Sequence, residues 1–131
     1  MNDKSLVNYG YGFQVKIISS LLTDVNFCGK VVDILKVDYF EADAIKFLIK
    51  SCIDYFVSYK KTPTLEVLKV NIDTIDSELI KQEVVRSLKE AYINISASDL
   101  DFIKETTINF CKNQELKNAI LKSVDLLKFE K

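Results

Sequence analysis

The side chains able to do chemistry in this sequence fall into a few groups: three cysteines, some closely spaced aspartates, a Tyr9-Gly10-Tyr11-Gly12-Phe13 tract, and lysines at 104, 112, 117, 122 and 128. Histidine is absent, which removes the commonest general base, the commonest metal ligand and every Ser-His-Asp or Cys-His arrangement. Cys28, Cys52 and Cys111 are widely separated, odd in number and never paired as C-x-x-C, so the sequence indicates neither a disulfide framework nor a zinc site; they read as reduced core thiols. With three glycines in all, a G-x-x-x-x-G-K-[ST] phosphate loop cannot be built. The 9–13 tract only faintly echoes G-x-G-x-x-G, and no strand is expected before it, so a flexible or docking N-terminal arm, with its aromatics packed on the head or on a neighbouring subunit, fits it better. Asp73 with Asp76 and Asp99 with Asp101 have a spacing that could serve a cation, yet both pairs fall where helix ends are expected, and capping or dipole compensation accounts for them. The lysine file could meet phosphates, but Glu105, Glu115 and Asp125 alternate with it and dilute the field, so any DNA contact is expected to be weak and local. The sequence therefore implies no catalytic residue, no cofactor and no metal ligand of its own.

The elements that would hold such residues are helical. One proline, at 63, and glycines only at 10, 12 and 29 leave too little punctuation for hairpins. Over 131 residues a single core should bury about two-thirds of the unfolded surface. Hydrophobic residues at 48% and charged residues at 28% suit a folded domain, and a net charge of −1 gives no general attraction to nucleic acid. No apolar run approaches the length of a membrane span, and the first residues lack a secretory signal, so a cytoplasmic setting without membrane contact is expected.

The clearest helix covers about Glu41 to Tyr59, where Ile45, Leu48, Ile49, Cys52, Ile53 and Phe56 recur at three- and four-residue steps. Phe13 to Thr23 and Val25 to Leu35 predict two shorter helices before it, the second interrupted by Gly29, with Lys36 to Tyr39 as a bridge. Thr62-Pro63 marks the next start, with Leu65, Leu68 and Ile72 on one side. After a cap at Asp76-Ser77, Ile80, Val84, Leu88, Ala91 and Ile95 repeat at helical spacing. Residues 1–96 thus form a compact helical head, and residues 97–131 a long helix that starts after the capping choices of Ser96-Ala97-Ser98-Asp99 and runs from Leu100 to about Lys128. Such a helix spans about 42 Å, more than the head needs, so it should project. Its distal row, Leu116, Ala119, Ile120, Val124 and Leu127, needs a partner from elsewhere, because the chain stops at Phe129-Glu130-Lys131 without a closing helix. Phe110, Leu116, Ile120, Val124 and Leu127 are the interface residues expected from this reading, and self-association the expected consequence.

The order of these tracts resembles the N-terminal domain of DnaB-type replicative DNA helicases, particularly the phage branch. An opening apolar helix with a Leu-Leu pair, an aspartate and an aromatic is matched by Ile17-Ile18-Ser19-Ser20-Leu21-Leu22-Thr23-Asp24-Val25-Asn26-Phe27. Val31-Val32-Asp33-Ile34-Leu35, Asp38-Tyr39-Phe40 and Ala44 to Tyr59 follow the family's short helix, aromatic pair and long apolar helix. Phe110-Cys111-Lys112-Asn113-Gln114-Glu115-Leu116-Lys117-Asn118-Ala119-Ile120, then Ser123-Val124-Asp125-Leu126-Leu127, is similar to the first hairpin helix of phage members. Ser19-Ser20 departs from the small apolar or glycine positions of the family, and no glycine precedes Pro63. The resemblance implies an all-α collar domain that sets subunit assembly and docks primase and helicase loader, with long helix as half of a helical hairpin. It also implies that the motor, with its ATP and magnesium, belongs to a separate C-terminal domain, and that a phage-encoded protein works in the host cytoplasm. A stand-alone helical adaptor or regulator that binds another protein is the other reading of the same features.

Overall fold

The computed structural model describes residues 5–129, and the expectations that rest on Met1–Lys4 and on Glu130-Lys131 lie outside them. The described residues form six α-helices and two 3₁₀ turns, with no strand among them. The chain is all-α, a compact head followed by one long helix.

Gly10 makes the first decision. Its φ of +94° is a conformation that side chains with a Cβ avoid, and it lets the 3₁₀ turn Leu6–Tyr9 hand over directly to α1, Tyr11–Thr23. Ser5 caps the turn by accepting from the Val7 amide at 3.0 Å, and its hydroxyl donates to the Tyr39 carbonyl at 3.2 Å. Leu6 is fully buried, while the 9–13 tract, expected as an arm, opens α1 from Tyr11 onward, with Tyr9 stacked on Phe13 at 4.7 Å.

Helix α1 is buried nearly all round: Val15, Ile17, Ile18, Ser19, Ser20 and Leu21 are all at most 1% exposed. A helix without a solvent face needs neighbours on every side, and α1 packs on α2, α3, α5 and α6. Serines can stand in this interior because each hydroxyl finds a carbonyl: Ser20 donates to Lys16 at 2.9 Å, and Ser19 lies 3.2 Å from the Val15 oxygen and 2.6 Å from that of Ala91 in α5.

Helix α2, Val25–Val31, starts on Asp24, whose carboxylate accepts from the Phe27 amide at 3.0 Å. It runs through Gly29 but stops four residues short of the expected Leu35, because a turn at 32–34 carries the chain round and drops Leu35 into the core. The turn Val37–Tyr39 then leads to α3, Asp43–Tyr59, in which Ile45, Leu48, Ile49, Cys52 and Phe56 are buried and Ile53 partly so. Lys60 ends α3 in the left-handed conformation, φ 57°, with its amide on the Phe56 carbonyl at 2.8 Å.

Helix α4, Leu65–Ile72, is capped by Thr64, which accepts from the Val67 amide at 3.3 Å; Thr62 and Pro63 lie before the cap rather than forming it. The extended backbone of Thr64 is what a cap requires, and Pro63 is buried behind it. Leu68 and Ile72 anchor α4, whereas Leu65 is 43% exposed. Helix α5, Glu78–Ile93, is capped by Ser77 as expected, and buries Val84, Leu88 and Ala91. Ile95 lies past its end and is exposed. Helix α6 is Leu100–Phe129.

Candidate interaction surface on the long helix

The proximal half of α6 belongs to the head. Leu100, Ile103, Thr107, Phe110, Cys111 and Gln114 are buried on one side of it. Thr107 donates its hydroxyl to the Ile103 carbonyl at 2.7 Å, so its burial leaves no orphan. Two ion pairs tie the start of this helix to α1 and the residue that ends it: Lys16 with Asp99, just before α6, at 2.8 Å, and Lys104 with Asp24, just after α1, at 2.9 Å. The hydrogen bond from Lys104 holds the Asp24 carboxyl below its ordinary value, and Lys16 does the same for Asp99.

Phe110, read from the sequence as an interface residue, is instead a docking residue of the head. It is 8% exposed and meets the rings of Tyr9 and Tyr39 edge-on, with centroids 6.2 Å and 5.2 Å away. Its place on the helix explains this, since it follows Ile103 by seven residues and Thr107 by three and so shares their face.

Past Gln114 the helix leaves the head, and every residue from 115 to 128 is exposed. Leu116, Ile120, Val124 and Leu127, the remaining expected interface residues, are 61%, 55%, 43% and 66% exposed, a density of open apolar side chains that a solvated helix would not carry. Leu121 and Leu126, which the periodicity reading passed over, are also exposed.

Direction matters more than exposure. At about 100° per residue, the row of Leu116, Ile120, Val124 and Leu127 lies roughly 130° around the axis from the face that docks on the head. The straight continuation of the docking face carries mostly polar side chains: Lys117, Asn118, Asp125 and Lys128, beside Leu121. The apolar row continues instead, backwards along the helix, into Asn113, Asn109, Thr106 and Phe102, at alternating three- and four-residue steps. That line is uncharged throughout and carries the spacing of a helix-pairing seam, with asparagines at two of its positions. Phe102 is 64% exposed.

Where α6 departs, a cleft of about 520 Å³ opens between it and the second 3₁₀ turn, bordered by Lys36, Tyr39, Gln114 and Leu121, with Ile120 of the apolar row also at its edge. The Tyr39 hydroxyl is buried without a hydrogen-bond partner among the described residues, and burial pushes its pKa up.

The thiols offer little nucleophilic character. Burial pushes Cys28 to about 11 and Cys111 to about 12, and raises Cys52 as well, so all three are protonated at neutral pH. No three histidine, cysteine, aspartate or glutamate side chains come together as a metal site among the described residues. Asp73 stands at the C-terminal end of α4 facing Lys81 at 3.6 Å, and Asp101 lies 3.8 Å from Lys104. Lys104 is thus engaged by two carboxylates, which takes it out of the lysine file considered for phosphate contact. No described helix is long and apolar enough to cross a membrane. The chain matches no family model, no curated protein and no solved structure.

Proposed function

We propose that this chain is a non-catalytic assembly domain, in which the head is a rigid mount and the distal half of α6 binds the same half of another copy. The observation that carries the reading is the angular offset of the apolar row: a helix that has already used one face on its own head presents a different, uncharged face outward. A row on the docking face could be sheltered by a shift of the head; one on another flank needs a second molecule. The setting supported by the tracts at 17–27 and 110–127 is the N-terminal collar of a DnaB-type replicative helicase, phage branch, with primase and helicase loader as further partners. ATP and magnesium then belong to a motor outside this chain.

Changing Ile120 and Val124 together to aspartate tests the assembly. At millimolar chain, light scattering should give a mass above 15.0 kDa for the wild type and the monomer mass for the variant. A monomeric wild type, or a variant of unchanged mass, overturns the proposal. The helicase setting has its own test: the coding region beyond Lys131 should encode a phosphate-loop motor, and a stop there with no such motor leaves the adaptor reading.

A further inference from the structure

A second open apolar surface lies on α4 and α5, away from the α6 row. The two helices enclose a trough of about 710 Å³, within the range of binding clefts. Its floor is Ile72 and Leu88, both 5% exposed, and its walls are Leu65 and Ile93, 43% and 77% exposed. Two uncovered apolar walls above an apolar floor form a continuous strip open to solvent.

The rim is cationic. Lys69, Lys81 and Lys89 border the trough, and Asp73 is the one carboxylate among the residues that line it. Asp73 faces Lys81 at 3.6 Å, while Lys69 and Lys89 make no ion pair among the described residues. The pattern asks for apolar groups in the centre and carboxylates at both edges.

We infer that this trough docks an acidic amphipathic helical segment of a different protein. The dimensions suit a helix, since the eight residues of α4 span about 12 Å, the rise over which an incoming helix presents anchors at i, i+3 or i+4, and i+7. The charge disfavours the α6 row of a second copy as occupant: within 115–128, Lys117, Lys122 and Lys128 outnumber Glu115 and Asp125, and the lysine rim repels the excess. Docking here leaves the α6 row free, so the two surfaces work independently.

The test uses the full chain and a fluorescein-labelled synthetic three-turn peptide, with leucines at i, i+4 and i+7 and glutamates on both flanks, beside its glutamate-to-lysine counterpart. Anisotropy should report binding of the acidic peptide alone, weakening as salt is raised. Amide shifts should map to α4 and α5. Lys69→Glu with Lys89→Glu should reduce affinity at least tenfold, as should Leu65→Asp, with far-UV dichroism and thermal midpoint checking the fold. No binding at millimolar chain, equal binding of both peptides, or shifts confined to α6 overturns the inference. So does displacement of the peptide by dodecanoate at lower concentration, which would mark a lipid trough. The Ile120→Asp, Val124→Asp variant should bind the acidic peptide unchanged and the lysine variant should keep the wild-type mass, so the failure of either proposal is read separately.

Discussion

Asp24 does two jobs with one carboxylate. Oδ1 accepts from the Phe27 amide and starts α2, while Oδ2 takes the Lys104 ammonium and ties α6 to the head. Replacing it by alanine removes a helix cap, about 1 kcal/mol, and a partly buried ion pair, about 1 kcal/mol more. Asparagine keeps an oxygen for the cap and gives up only the charge, so Asp24→Asn should cost about half as much as Asp24→Ala in urea unfolding at pH 7. The pH dependence has a definite sign. Lys104 depresses the folded pKa of Asp24 below 3.8, so the ionic part is fully present above that value and is lost as pH falls through the lower, folded one. The gap between wild type and Asp24→Asn should narrow as the pH drops below 3.8. A gap that stays constant in acid would mean that the Asp24–Lys104 pair contributes nothing to stability.

At the scale of elements, α2 contains an avoidable weakness. Gly29 sits in an ordinary helical position, and a Cβ built there would meet only the Phe56 Cζ at 3.7 Å, a normal contact. Gly29→Ala should therefore raise stability by about 0.5–1 kcal/mol, seen as a higher urea midpoint at unchanged slope. A fall would show that α2 packs more tightly on α3 than the contact suggests. The same helix marks what the sequence could tell. Each of the six helices was legible, because apolar spacing such as Ile45, Leu48, Cys52 and Phe56 in α3 survives any tertiary detail. Ends were less so. Lys60 takes a left-handed turn that glycine usually marks, and α4 is capped at Thr64, two residues past the expected Thr62. At the candidate surface, four of the five expected residues are exposed, and Phe110 is buried on the docking face. Following the helix at about 100° per residue would have grouped it with Ile103. The trough between α4 and α5 had no sequence signal, since it exists only through the way two separate helices lean together.

For the whole molecule, the long helix raises a question of energy. Residues 115–128 are all exposed, and their number is close to the length at which isolated helices become marginal in water, about 12–15 residues. The four row residues are already partly covered by their own helix, so pairing adds about 1 kcal/mol each, or about 8 kcal/mol gross for two copies. Association costs at least about 4 kcal/mol, which leaves a weak equilibrium that dilution can shift. Helix formation in the distal half and assembly should then be linked, each stabilising the other. Hydrogen exchange followed by mass spectrometry, at millimolar and at sub-micromolar chain, should find 115–128 protected at high concentration and fast-exchanging at low, with α1 and α3 equally protected in both. The Ile120→Asp, Val124→Asp variant should exchange quickly in that segment at either concentration. Full protection of the distal half in dilute monomer would make α6 an autonomous rod whose apolar row needs no second copy to stay folded, and the link between folding and assembly would be lost.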